Sequence, residues 1–120
     1  MSDTQNILES PGIQNFCLND GGITRIFRVR IDSNFRQEFE SRFSIDAMHK
    51  IREAPGFISA AILKPSKWSP DEYAMISQWQ NQESLQSFFG DKWNEAVITP
   101  SAEKFIVASW LHHFESWAHA

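Results

Sequence analysis

Two adjacent histidines, His112 and His113, are the side chains of this sequence best suited to accepting a proton near neutral pH. They fall within FIVASWLHHF, an apolar and aromatic run that is typical of a strand. Successive strand residues point to opposite faces of a sheet, so the two imidazoles cannot bind one metal from a regular strand. We predict no metal site, because the sequence offers no cluster of further ligands. Each histidine is a candidate general base, with a purely structural role as the alternative.

Trp79 ends another strand-like run and is a third candidate for a catalytic role; the alternative is that its ring fills the space beneath the helices. Arg28 and Arg30 lie on one face of a predicted strand and could bind an anion, although we favour their pairing with carboxylates across a dimer. Cys17 has no basic or His neighbour in the sequence that would activate it as a nucleophile. The absence of a Gly-rich phosphate loop argues against NAD-dependent and P-loop enzymes.

The composition is that of a globular domain with an unusual number of aromatic rings. The chain has 120 residues, the length of one domain, and 42% of them are hydrophobic. Ten Phe and five Trp against one Tyr predict a bulky core, a large interface or an apolar pocket. A net charge of −4 argues against nucleic acid as a partner.

Several features together predict a cytoplasmic protein. Cys17 is the one cysteine, which excludes an internal disulfide and suits a reducing compartment. No apolar run is long enough to cross a membrane, and the N-terminal residues are too polar for a secretion signal. We therefore expect no membrane partner.

The pattern of apolar residues predicts the element order β-α-β-β-α-β. Strands are expected at 23–31, 57–63, 72–79 and 105–114, and helices at 35–52 and from Asn81 or Gln82 to the Thr99-Pro100 break. Ser33 or Asn34 is the expected cap of the first helix. This order is the α+β, ferredoxin-like arrangement, an antiparallel sheet with two helices on one face. We expect residues 1–22 to form an arm, 23–117 the domain and 118–120 a tail.

The other face of such a sheet would be bare. It would carry the side chains of Arg28, Arg30, Ile76 and Gln78, together with one face of the last strand. A surface of this mixed polarity is better covered by a second subunit than left in water, so we predict a homodimer.

Two segments resemble the core of a known family. REAPGFISA (52–60) and EYAMISQWQNQESLQSF (72–88) are similar to antibiotic biosynthesis monooxygenase domains, in which a Pro-Gly-Phe turn precedes the second strand and an aromatic residue ends the third. The resemblance spans about 23–115 and implies a dimeric α+β barrel. The family contains oxygenases of several kinds, so it does not by itself name a reaction.

The resemblance to heme-degrading members of the superfamily fails at their functional residues. Those members use an Asn, a Trp and an axial His, and the matching positions here are Phe27, Phe88 and Ile98. Heme degradation by that mechanism is therefore disfavoured.

The resemblance to cofactor-independent oxygenases of anthrone-type molecules is closer. Their pocket Trp matches Trp79, whereas an Asn and a Tyr of the pocket correspond to Met75 and Leu85. Apolar side chains at these two positions can neither accept a proton nor orient an enolate.

Three hypotheses remain open. The first is a monooxygenase with no cofactor or tightly bound metal that acts on a small apolar aromatic or quinone-like molecule. The second is a protein that binds a hydrophobic ligand or heme without turnover, and the third is a structural dimer with a filled core. A cavity would separate the first two from the third. The residues expected to line it are Phe27, Phe39, Phe43, Trp79, Leu85, Phe88 and Phe89.

Overall fold

A computed structural model describes residues 22–43, 45–96, 98 and 100–118 of the chain. The predicted arm lies outside this part except for Gly22, and so do Cys17 and the last two residues of the predicted tail. None of the helices in the described part reaches the length and hydropathy needed to cross a bilayer.

The described strands form one antiparallel sheet. They are β1 (Ile23–Ile31), β2 (Phe57–Leu63), β3 (Glu72–Trp79) and β4 (Ile106–Glu115), in the spatial order β2-β3-β1-β4. The first three strands have the predicted bounds, and the fourth is shifted by one residue. The helices pack on one face, so the α+β, ferredoxin-like fold is confirmed.

The first predicted helix consists of several segments. A 3₁₀ turn at Ser33–Phe35 leads into α1 (Arg36–Phe43), and α2 (Ile45–Ile51) follows. The predicted cap at Ser33 or Asn34 is wrong, since the carboxylate of Asp32 accepts the backbone N–H of Asn34 at 2.9 Å. Asp32 takes this position because it is the first residue after β1 and retains an extended backbone.

The second predicted helix is shorter than expected. α3 runs from Gln82 to Phe89, so the predicted start at Asn81 or Gln82 is confirmed. Asn81 caps the helix, because its side-chain oxygen accepts the backbone N–H of Ser84 at 2.8 Å. Gly90 has a φ of 82° and ends the helix. The prediction that the helix continues to Thr99-Pro100 is wrong, and Pro100 instead begins the short helix α4 (Pro100–Glu103).

The core beneath the helices is divided into two clusters of buried side chains. The first contains Val29, Ile31, Tyr73 and Phe105, and the second contains Ile51, Trp79 and Leu85. On β1, Ile23 packs against the second cluster and Phe27 against the first. Arg25 lies between these two residues on the same strand face, so a charged side chain stands where the two clusters meet.

The opposite face of the sheet, called the open face below, carries no other described helix or strand. Arg28 pairs with Glu72 of its own chain at 2.7 Å and lies over the Trp110 ring, with 4.8 Å from Cζ to the ring centroid. Arg28 was expected to pair with a carboxylate of a second subunit, but Glu72 already supplies a carboxylate from the same chain. Phe114 on the same face is 53% exposed, so the described part of the chain leaves an apolar surface uncovered there.

The Pro-Gly-Phe turn is fixed by contact with the start of α3. Gly56 has a φ of 81°, and its carbonyl accepts the backbone N–H of Gln80 at 2.8 Å. A Cβ at Gly56 would lie 2.0 Å from Oγ and 2.4 Å from Cβ of Ser84. Glycine is required here both by the backbone conformation and by the close approach of α3.

The substitution Gly56→Ala should lower the free energy of unfolding by about 2–4 kcal/mol. The cost of a left-handed backbone for alanine and the cost of overlap between its Cβ and the Ser84 side chain are added together. Gly90→Ala is the matched control: its φ is also positive at 82°, but no described residue has an atom within 4 Å of the added carbon. Urea unfolding should show a cost at least about 1 kcal/mol larger at Gly56. Equal costs at the two positions would contradict the close contact with Ser84.

Candidate functional site

A cavity of about 170 Å³ lies between the sheet and α3 and is partly open to solvent. It occupies the place where the two core clusters meet. The lining side chains come from β1, from β3, from the end of α3 and from the loop that follows it: Arg25, Phe27, Met75, Ser77, Phe89, Lys92 and Glu95.

The register of the sheet brings the lining residues together. Arg25 is the pairing partner of Ser77 across β1 and β3, and Phe27 is the partner of Met75. Paired residues of antiparallel strands lie side by side on one face, here the face toward the helices. Phe89, at the end of α3, places its ring 3.8 Å from the guanidinium carbon of Arg25.

Arg25 is the charged group at the buried end of this cavity and is only 8% exposed. Its Nη1 donates to the backbone oxygen of Trp93 at 2.5 Å and contacts Nε2 of His113 at 3.1 Å. Because arginine has no acceptor, Nε2 of His113 must accept, so this imidazole is neutral and carries its proton on Nδ1. Burial holds the pKa of His113 below its ordinary value, and the charges of Arg25 and His112 lower it further.

The charge of Arg25 has no carboxylate partner among the described residues. The ion pairs found there involve Arg28, Arg36, Arg42 and Lys104. Burial lowers the pKa of the Arg25 guanidinium to about 10, so the group still carries its charge at neutral pH. A carbonyl, a neutral imidazole and an aromatic face therefore take the place of the carboxylate that usually accompanies a buried cation.

Ser77 adds a second polar group to the buried end. The residue is 1% exposed, and its Oγ accepts the indole N–H of Trp79 at 3.0 Å. Its own hydroxyl hydrogen is not donated to any acceptor in the described part of the chain. Arg25 and Ser77 thus both present donors to the cavity, whose remaining buried walls are apolar.

Two of the seven predicted pocket residues, Phe27 and Phe89, line the cavity. Phe39 lies in the first cluster, with its ring 4.8 Å from that of Tyr73. Phe88 is 37% exposed at the surface of α3. Of Phe43 only the backbone is described, as the last residue of α1.

Trp79 and Leu85 are fully enclosed in the second cluster, each with 0% exposure. The Trp79 ring packs between those of Phe57 and Phe89, at centroid distances of 5.6 and 5.7 Å. It reaches the cavity through its hydrogen bond to Ser77. Trp79 does not line the cavity; its packed ring donates the hydrogen bond that fixes the position of the Ser77 hydroxyl.

The two histidines occupy opposite faces, as predicted. His113 pairs with Arg25 across β1 and β4, whereas His112 pairs with Ile26 on the open face. The ring of His113 also meets that of Trp93, with centroids 5.1 Å apart. His113 is therefore the histidine connected to the cavity, through Arg25.

Arg25 was not recognised as a site residue from the sequence. Alternation along β1 places it on the same face as Phe27, which was the available signal. Lys92 and Glu95 were also missed, because the sequence predicted a long helix there and the structure places them in a loop. Ser77 was not recognised either, although alternation along β3 places it on the same face as Met75 and Trp79.

Solved structures similar to this fold include proteins of different activities. A mutant form of SnoaB, a cofactor-independent oxygenase from Streptomyces nogalater, is 17% identical; the match covers 78% of this chain and 91% of SnoaB, with a TM-score of 0.60. The heme-degrader MhuD of Mycobacterium tuberculosis, with two hemes in its active site, is 20% identical; 82% of this chain and 98% of MhuD are covered, with a TM-score of 0.60. A conserved protein from Methanosarcina mazei is 15% identical, covering 82% and 96% at a TM-score of 0.66.

At these identities the structural similarities show the fold alone. No curated protein sequence matches the chain significantly. The model of the antibiotic biosynthesis monooxygenase family matches residues 22–92. This segment is more than half of the chain and holds every lining residue of the cavity except Glu95. The chain therefore belongs to the antibiotic biosynthesis monooxygenase family.

Proposed function

We propose that this protein is a monooxygenase that acts on a small aromatic or quinone-like molecule without a tightly bound metal. The observation that carries the proposal is the cavity in which Phe27, Met75 and Phe89 face a buried cation, Arg25. Apolar walls with a few placed polar groups are typical of small-molecule sites. The cofactor-independent activity named for SnoaB supports the same class of reaction.

Such a reaction needs an electron-rich anion that can reduce O₂ itself. A substrate CH₂ beside a phenol or enol loses a proton, reacts with O₂ and becomes C=O, while the second oxygen atom leaves as water with the two hydrogens. The guanidinium of Arg25 and the hydroxyl of Ser77 would stabilise the oxyanion that forms. The rings of Phe27 and Phe89 would keep bulk water away from it.

His113 is the proposed base. Its imidazole is neutral, and its Nε2 is held by Arg25 at 3.1 Å. When the guanidinium turns toward the phenol or enol oxygen of a substrate, that nitrogen becomes free to accept the proton that the substrate loses as the oxyanion forms. The deprotonated substrate and the protonated histidine would then flank the same arginine.

A second candidate function is binding of an apolar ligand without turnover. Met75 lines the cavity where the resemblance to anthrone oxygenases implies an Asn, and Leu85, in the place of their Tyr, is fully buried away from it. Heme fits this alternative poorly, because the cavity of about 170 Å³ is below the roughly 300–1,000 Å³ of sites for drug-sized ligands. Titration with hemin should therefore give no histidine-type Soret shift.

The oxygenase proposal predicts oxygen uptake that depends on an open cavity. Wild-type protein should consume O₂ with a single-ring dihydroquinone faster than the spontaneous reaction in buffer. Met75→Trp fills part of the cavity and should lower the rate at least about tenfold, because the substrate can no longer take its reactive position. An oxygen electrode measures both rates.

Val107→Trp is the matched control, since Val107 is 60% exposed and does not line this cavity. It should keep the wild-type rate. A wild-type rate equal to that of buffer would remove the oxygenase proposal for these substrates. Loss of activity in both variants alike would show that the cavity is not the site.

We also propose that a second copy of the chain covers the open face of the sheet. Ile26, Ile76, Trp110 and Phe114 give this face a large apolar component. The family resemblance implies a dimeric barrel assembled through such a face.

We further infer that residues 1–22 are an arm outside the 23–117 domain and that the protein acts in the cytoplasm.

Light scattering should therefore give a mass near twice the 13.9 kDa of one chain. Trp110→Glu places a charge in the centre of the proposed interface and should produce a monomer. Trp68→Glu, on a residue that is 80% exposed in the β2–β3 connection, should leave the dimer intact. A wild-type protein that runs only as a 13.9 kDa species would refute the homodimer.

A further inference from the structure

We propose that the buried end of the cavity is an anion-recognition site and that its ligand is a single-ring aromatic molecule bearing an ionised oxygen, a phenolate or a carboxylate. The inference deepens the proposed function, on which it rests for the assignment of this ligand as the substrate. It names Arg25 and Ser77 as the groups that hold the anionic oxygen.

The first argument is the charge of Arg25. A cation that is 8% exposed is costly unless it is paired, and no described carboxylate forms an ion pair with it. Both of its described hydrogen bonds use Nη1. A guanidinium has five N–H donors, so several are left for a ligand in the cavity that Arg25 lines.

The second argument is the position of Ser77. Because Ser77 is the register partner of Arg25, the two side chains point to the same face, and both line the cavity. The hydroxyl accepts from Trp79 with one of its two lone pairs, and its hydrogen is left to donate to a ligand. A charged guanidinium beside a hydroxyl donor, with no carboxylate among the described residues that line the buried end, favours an oxygen that carries negative charge.

The third argument is size. The cavity measures about 170 Å³, close to the roughly 150 Å³ of an engineered protein cavity that binds benzene. It has room for one ring and a substituent. Phe27 and Met75 provide the apolar surface for that ring, and Phe89 already stacks on the guanidinium from one side.

The mouth of the cavity carries both signs of charge. Lys92 and Glu95 line it from the exposed loop after α3. Lys92 adds attraction for an anion, whereas the carboxylate of Glu95 opposes its entry. Removal of Glu95 should therefore strengthen the binding of an anionic ring.

The test compares charged and neutral ligands of the same shape. Calorimetric titration at pH 8 would use 4-nitrophenolate against 4-nitroanisole, and benzoate against benzamide. Wild-type protein should bind at least one anion about tenfold or more tightly than its neutral counterpart, as expected for a charge-assisted hydrogen bond. Preference for the nitrophenolate alone identifies a phenolate site, and preference for benzoate alone identifies a carboxylate site.

Variants assign the preference to particular residues. Arg25→Gln should abolish it and Ser77→Ala should weaken it, while Glu95→Gln should raise anion affinity. Arg52→Gln is the matched control, an exposed arginine in the turn after α2 that does not line the cavity, and it should behave as wild type. Equal affinity for charged and neutral ligands in the wild type, or an unchanged preference in a folded Arg25→Gln protein, would overturn the inference.

The ligands are not oxidised in this experiment, so its result is separate from turnover. A charge preference without oxygen uptake from any dihydroquinone would retain the anion site and remove the oxygenase. Oxygen uptake without a charge preference would retain the oxygenase and remove the anion site.

Discussion

The buried charge of Arg25 is the constraint around which this molecule is arranged. Strand alternation places the guanidinium on the face of β1 that packs against the helices, between two apolar clusters. Burying a guanidinium among aliphatic side chains alone would leave its N–H groups without hydrogen-bond acceptors, which is energetically costly. The end of α3, the following loop and β4 instead supply a ring, a carbonyl and an imidazole around it. A cavity is left on the remaining side.

The segment that carries the family resemblance also builds this cavity. Gly56 allows the Ser84 side chain to approach its backbone, and Asn81 caps the helix that begins there. That contact fixes the start of α3, and two turns later the helix delivers Phe89 to Arg25. The Pro-Gly-Phe turn, which the fold needs, therefore also determines where Phe89 closes the cavity beside Arg25. The choice of Met75 and Ser77 on β3 then decides what the site can bind.

Three strands have the predicted bounds. They could be predicted from the sequence because β1 alternates apolar and charged residues, while β2 and β3 are largely apolar runs on either side of a connection that holds Pro65 and Pro70. The length of α3 could not, because the apolar spacing continues past Gly90 while the backbone turns there with a φ of 82°. Arg25 was overlooked because a charged residue on a half-buried strand is normally assigned to the solvent side. The carbonyl and imidazole that hold it come from residues 93 and 113, which only the folded chain brings near.

The most direct test of the anion site is a crystal structure of the protein soaked in turn with 4-bromobenzoate and with 4-bromo-2-nitrophenolate, in which the anomalous signal of bromine fixes the orientation of each ligand. We predict that at least one of the two places its ionised oxygen within hydrogen-bond distance of Arg25 and Ser77, with its bromine directed toward Lys92 and Glu95. Bromine bound elsewhere in both crystals, or a carboxylate of the protein paired with Arg25 in the cavity, would contradict the site.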